Sequence, residues 1–367
     1  MSALMPPVAM LRLAALALLA SACSSPPVAS GSAAAGRLIF LAEDPASPGA
    51  GAIVSVRPDG SERAELLRGA GIFPAAVDPT GTWLAVVAVD ERDGDHLERV
   101  RVYPLAKLGN DTPATWESPP ASQVRNPSFR PDGRALAFES AVASFRDIYR
   151  VDLPAGPLLR LTDNEEGNYE PSFAPDGAAI AFVSSRDGNA EIYRMNPDGS
   201  GQLRLTSFHL DDWSPQWAPD AQTIAFLSNR EQIDRIFLMR PDGGDQRRLT
   251  AARSAPPGPD AALGSEPHET EPVFAPDGES VVHGVRSGPH GTGLQRTPIA
   301  GGPSIVLSDG KASDRNPVWS PDSSFVVFVS DRDGGDLELY RVDRDGQARV
   351  RLSDRPGADW LPRWSPR

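Results

Sequence analysis

The chain has 367 residues, 40% of them hydrophobic and 23% charged, and a net charge of −13. That length accommodates one large or two ordinary domains with a real core, and the acidic balance excludes a nucleic-acid partner, whose phosphates need a basic face. The 37 prolines and 33 glycines exclude a helical bundle and suit many short strands joined by tight turns.

Near the start of the chain, "MLRLAALALLASAC" from Met10 places one positive charge, Arg12, before an apolar run from Leu13 to Ala20 and then small residues. This is the pattern of a secretory signal, too short to span a bilayer comfortably. Cys23, the sole cysteine, stands where a bacterial lipoprotein signal carries its lipidated residue, with Ala20, Ser21 and Ala22 at the small positions and Leu19 one place early. Residues 1–22 are therefore expected to be a lipoprotein signal peptide. Residues 23–36, "CSSPPVASGSAAAG", read as lipid anchor and flexible tether. Ser24 after the cysteine fits export to the outer membrane.

From residue 37 onward the sequence repeats. A proline beside an aromatic or apolar residue recurs at Pro74, Pro127, Pro171, Pro215, Pro272, Pro317 and Pro362, with gaps of 53, 44, 44, 57, 45 and 45 residues. A period near 44 is the length of one four-stranded propeller blade. The two long gaps contain insertions, "NDTPATWESPPASQ" from Asn110 and "ARSAPPGPDAALGSEPHE" from Ala252. Within a unit, "EPSFAPDG" is a short inner strand ending in a Pro175-Asp176-Gly177 turn, and "AAIAFVSS" is an apolar strand buried on both faces. "AEIYRMN" and "QLRLT" are expected to be the third and outer strands.

The chain ends complement each other. "DWLPRWSPR" from Asp359 is an inner strand without followers, whereas "RLIFLAE", "AIVSVRPDG" and "RAELLRG" from Arg37 onward lack an inner strand. Together they make one blade, which removes open sheet edges. The expected fold is all-β: a seven-bladed β-propeller of four-stranded antiparallel blades over residues 37–367, its ring closed by the C-terminal strand joining the N-terminal blade.

These units resemble the WD40-like propeller repeats of the TolB family, named for a periplasmic protein of the Tol-Pal envelope system. The resemblance rests on Pro171-Ser172-Phe173-Ala174-Pro175-Asp176-Gly177 with Ile180-Ala181-Phe182, and on Pro317-Val318-Trp319-Ser320-Pro321-Asp322 with Val326-Val327-Phe328. It departs from TolB in blade number, six there against seven expected here, and TolB has an additional α/β domain before its propeller. The resemblance implies a noncatalytic envelope protein without a cofactor.

Turn-formers and core-fillers explain the repeat, so function must lie where the units differ. The loops leading into the inner strands carry thirteen acids against Lys311, Arg315 and Arg355, with Tyr169, Phe208, Trp213 and Trp360 interleaved. Such a rim suits a basic or extended peptide segment of an envelope protein, or a cation. The alternative for each acid is a turn cap, or a pair with Arg186, Arg230, Arg286 or Arg332 from a neighbouring loop. The expected partner-binding residues are Asn126, Glu170, Asp212, Trp213, Glu271, Asn316, Asp359 and Trp360. Asn126, Glu170, Glu271 and Asn316 immediately precede their prolines, so four equivalent blades would bring them around one axis. The protein is expected to act as a monomer, held by its N-terminal lipid at the periplasmic face of the outer membrane.

An enzyme needs other residues. No Gly-x-Ser-x-Gly elbow occurs, which sets aside the hydrolases that carry a related propeller. Oligogalacturonate lyases also have similar repeats and a His-rich metal site; His209 and His268, in adjacent lead-in loops beside Asp211 and Glu269, could converge as in such a metal-dependent lyase.

Overall fold

The structure is a computed structural model that describes residues 36–366 apart from 48, 93–94, 144, 251–266 and 287–290. Cys23, the signal and the tether lie outside the described residues, as does most of the insertion after Ala252.

Seven four-stranded antiparallel sheets follow one another along the chain. Blade 1 combines Arg37–Glu43, Ala50–Val56 and Ala64–Ala70 with Asp359–Ser365 as its inner strand. The inner strands of blades 2 to 7 are Ile72–Val77, Val124–Phe129, Asn168–Phe173, Asp212–Trp217, His268–Phe274 and Arg315–Trp319. Each inner strand packs on the next and Asp359–Ser365 packs on Ile72–Val77, so the ring is closed. The seven-bladed expectation and the closure by the C-terminal strand both hold.

Local chemistry produces each blade. In blade 4 the Ala174 carbonyl accepts the Gly177 amide at 2.8 Å, Asp176 Oδ1 caps the Ala178 amide at 2.9 Å, and Gly177 takes φ +68°. That left-handed backbone is inexpensive only for glycine. The following strand, Ile180–Ser184, is wholly buried because both of its faces meet neighbouring blades. Its Phe182 joins Ala137 and Ile148 of blade 3 and Phe173, Tyr193 and Met195 of its own blade in one apolar cluster. Phe40, Phe138, Phe226 and Phe328 hold the same place in other blades and are equally buried.

One expectation is refined. The stretch from Asn110 is more than an insertion: Trp116–Glu117 within it is the outer strand of blade 2, pairing Trp116 with Val102. A strand of two residues is too short to show a period in sequence.

Candidate functional site: the inner ring and its lead-in loops

Six of the seven prolines that anchor the inner strands follow a residue in the left-handed region: Asn126, Glu170, Ser214, Glu271, Asn316 and Leu361, with φ between 50° and 55°. Blade 2, with Phe73 before Pro74, is the exception. In blades 3 to 7 the strand register slips across this residue, so each inner strand carries a bulge there. A bulge leaves an amide without a ladder partner, and carboxylates of the preceding blade take up three of them. Glu139 Oε2 accepts the Glu170 amide at 2.7 Å, Glu170 Oε2 the Ser214 amide at 2.7 Å, and Glu271 Oε2 the Asn316 amide at 2.8 Å. Asn126 Nδ2 also donates to Glu139 Oε2, at 3.2 Å. These side chains stitch the ring around its axis.

The residues before the prolines are thus brought together, but five of the eight expected contact residues are covered. Asn126, Asp212, Asn316, Asp359 and Trp360 are all buried; Trp360 is 3% exposed and stacks edge-on against Phe73 at 6.0 Å. Asn126 and Asp212 hydrogen-bond within the ring, and Trp360 packs in its core. Glu170, Glu271 and Trp213 keep a partly exposed surface.

Asp212 belongs to a socket repeated in three blades. Arg230 Nη2 reaches Asp212 Oδ2 at 2.8 Å, its Nε donates to Ser228 Oγ at 2.8 Å, and its guanidinium lies 4.5 Å from the Phe237 ring centroid. In blade 7 Arg332 pairs with Asp314 at 2.7 Å and stacks on Tyr340 at 4.9 Å; in blade 4 Arg186 meets the amide oxygen of Asn168 at 3.1 Å and stacks on Tyr193 at 4.7 Å. The pairing of inner acids with Arg230 and Arg332 is therefore what the structure has. A second repeated group was not singled out in sequence, an acid at or near the start of the third strand. Asp147 and Glu191 are fully buried and bind the outer-strand arginines Arg160 and Arg204 at 2.6 and 2.8 Å. Glu338 does the same with Arg351 at 2.7 Å. The signal was present as an acid before Ile-Tyr or Leu-Tyr in "RDIYR", "AEIYR" and "LELYR".

The outer acids behave differently. Asp163, Glu165, Glu166 and Asp354 are exposed on the lead-in loops, and among the described residues their carboxylates have no ion pair. His209 is exposed with its ring 4.3 Å from that of Phe208, whereas His268 Nδ1 meets Asp234 Oδ2 at 2.9 Å. Among the described residues no three His, Cys, Asp or Glu side chains form a metal-holding group.

Burial, and after it the neighbouring charge of Glu139, pushes the Glu170 carboxyl up to about 7. Burial likewise raises Glu271 and lifts Asp359 to about 6, against the pull of Arg63. A carboxyl that holds its proton more tightly folded than unfolded contributes stability below its unfolded value and loses it as pH rises through the folded one. Glu170→Gln is therefore expected to match the parent near pH 5 and to exceed it at pH 8 by on the order of 2 kcal/mol. Urea unfolding at the two pH values checks this; an equal offset at both would contradict it.

Seven four-stranded blades around one axis, closed by a strand from the far end of the chain, define a β-propeller. The chain belongs to the family of the TolB beta propeller domain, whose family model matches residues 117–252 and 201–367. No curated protein matches it. Among solved structures it is similar to TolB from Acinetobacter baumannii, at 21% identity over 90% of this chain and 67% of that one, with a TM-score of 0.56. It is also similar to an oligogalacturonate lyase in complex with manganese, at 16% identity over 79% and 82% of the two chains and a TM-score of 0.59. A prolyl endopeptidase matches at 12% identity and a TM-score of 0.63 over 94% of this chain, which spans 52% of that enzyme. At such identities the likeness is one of fold.

Proposed function

We propose that the protein is a noncatalytic, lipid-anchored module of the cell envelope, whose lead-in face and channel mouth bind a partner protein through a basic or extended segment. The observation that carries this reading is the contrast between two sets of acids. Glu139, Glu170, Glu271 and Asp212 are engaged within the ring, while Asp163, Glu165, Glu166 and Asp354 are exposed at its rim and have no ion pair among the described residues. Unpaired charges of one sign steer an oppositely charged partner and set how fast it arrives. Glu170, Glu271 and Trp213 would meet the segment at the channel mouth, with Asn126, Asp212, Asn316, Asp359 and Trp360 behind them holding the strands. The partly exposed Trp213, covered by a partner, is worth on the order of 2 kcal/mol.

Affinity capture from envelope extract tests the face. A partner retained by the parent and lost with Asp163→Lys/Glu165→Lys/Glu166→Lys supports it; equal retention by both rules it out. The anchor has its own test, since Cys23→Ser is expected to release the protein from membranes on fractionation, and unchanged association would refute lipidation at Cys23. No helix among the described residues is long and apolar enough to cross a membrane.

The lyase alternative would need a third ligand beside His209 and His268. Turnover of acidic polysaccharide that stops on chelation and on His209→Ala would favour it over the binding reading.

A further inference from the structure

Blade 1 departs from the socket that blades 4, 5 and 7 share. By strand register, Ala42 stands where those blades have Ser184, Ser228 and Ser330. Ala52 replaces Glu191, Arg235 and Glu338, and Val54 replaces the rings of Tyr193, Phe237 and Tyr340. The loop between Glu43 and Ala50 offers no arginine. The inner-strand acid alone is kept, as Asp359 opposite Ala42.

Arg63 enters this space from the outer side. Its guanidinium lies 5.2 Å from the Phe40 ring centroid, matching the 5.3 Å of Arg332 over Phe328. Its Nη1, however, stops 3.7 Å from Asp359 Oδ2, well outside the 2.7 and 2.8 Å of the blade 7 and blade 5 pairs. Asp359 is 2% exposed and its Oδ2 accepts no hydrogen bond; Asp212 and Asp314 also leave one oxygen without a partner, but each binds its arginine with the other. A cavity of 340 Å³ lies here, lined by Ala42, Ala52 and Val54 and by Arg63, Arg355 and Asp359, with the carboxylates of Glu43, Asp44 and Glu65 also on its lining. Arg68 at the rim is occupied by Glu65 at 2.5 Å, whereas exposed Arg355 has no ion pair among the described residues.

The intact sockets show which groups this space is built for. In blade 4 the Glu191 carboxylate sits there, taking hydrogen bonds from Arg204 at 2.8 Å and Thr206 at 2.5 Å, and the Ser184 hydroxyl lies alongside. We propose that the blade 1 cavity binds a small hydroxy carboxylic acid, such as an acidic monosaccharide or a short hydroxy acid. Its carboxylate takes the place of the missing glutamate, against Arg63 and Arg355; its hydroxyl donates to Asp359 Oδ2 as the missing serine's neighbour. A guanidinium suits a carboxylate because it offers two parallel donors, and a buried acceptor left empty gains most from being filled. The volume lies at the small end of ligand pockets. This site is independent of the partner reading, whose rim variants leave every residue of the cavity unchanged.

Calorimetric titration of the full folded chain with sodium D-glucuronate, sodium L-lactate and, as the uncharged control, D-glucose tests the proposal. At least one of the two acids is expected to bind and glucose is not. Arg355→Ala, on an exposed loop, is expected to weaken binding at least tenfold. Ala52→Glu puts the side chain of blades 4 and 7 into the space and is expected to abolish binding. Glucose binding as well as the acids, failure of both acids to bind, or undiminished binding by Arg355→Ala would each overturn the proposal.

Discussion

A chain ending before Asp359 is expected to be insoluble, or to melt far below the parent. All seven residues of Asp359–Ser365 are buried, and the strand pairs along Arg37–Glu43 while packing on Ile72–Val77 and Arg315–Trp319. Its Trp360, Leu361 and Trp364 belong to the largest apolar cluster, shared by blades 1, 2, 3 and 7. Burying each such side chain is worth about 2–3 kcal/mol, so the three together rival the roughly 5–15 kcal/mol by which a domain is stable at all. Arg363 Nε also donates to the Ala75 carbonyl at 2.9 Å, tying blade 1 to blade 2. Truncation would open that joint and bare the edge of Arg37–Glu43 as a template for intermolecular pairing. Light scattering and thermal unfolding of the truncated chain check this; melting like the parent would show that the ring does not depend on its last strand.

Arg230→Ala is expected to cost about 3–5 kcal/mol, the penalty for stranding a buried charge. Asp212 is fully buried, and Arg230 is its ion-pair partner at 2.8 Å. The same arginine covers the rings of Phe226 and Phe237 at 5.3 and 4.5 Å, so its stem and its charge are lost together. Asp212→Asn should cost much less, because blade 4 already runs the socket with Asn168 against Arg186. Denaturant midpoints of the two single variants and the double variant decide the matter. If Arg230→Ala lost less stability than Asp212→Asn, the socket would not be what holds this corner of the blade.

The fold was legible because its determinants are local and repeated. Pro-Asp-Gly turns and apolar second strands recur at a near-constant period, and the two unmatched chain ends announced the shared blade. The site was only half legible. That Asn126, Glu170, Glu271 and Asn316 occupy equivalent places followed from their prolines. Their left-handed backbone did not, since a residue before proline ordinarily favours extended conformations. Glu170 and Glu271 reach the next blade's amide and Asn126 reaches Glu139, so residues that looked like binding groups became part of the frame. Trp360 misled for a related reason: a tryptophan in a lead-in segment resembles an interface anchor, but closure places it between blades. The cavity of blade 1 could not be read in advance, because Ala42, Ala52 and Val54 are unremarkable strand residues until the register sets them against their counterparts.

The proposed function assigns partner binding to the exposed rim acids and leaves Glu139, Glu170, Glu271 and Asp212 to the ring. The association rate of the captured partner, measured at low and at physiological salt, tests it most directly. With Asp163→Lys/Glu165→Lys/Glu166→Lys the rate is expected to fall by about tenfold or more at low salt. The difference should shrink as salt screens the rim, with dissociation and melting temperature little changed. Equal association rates for parent and variant at every salt concentration would contradict the claim.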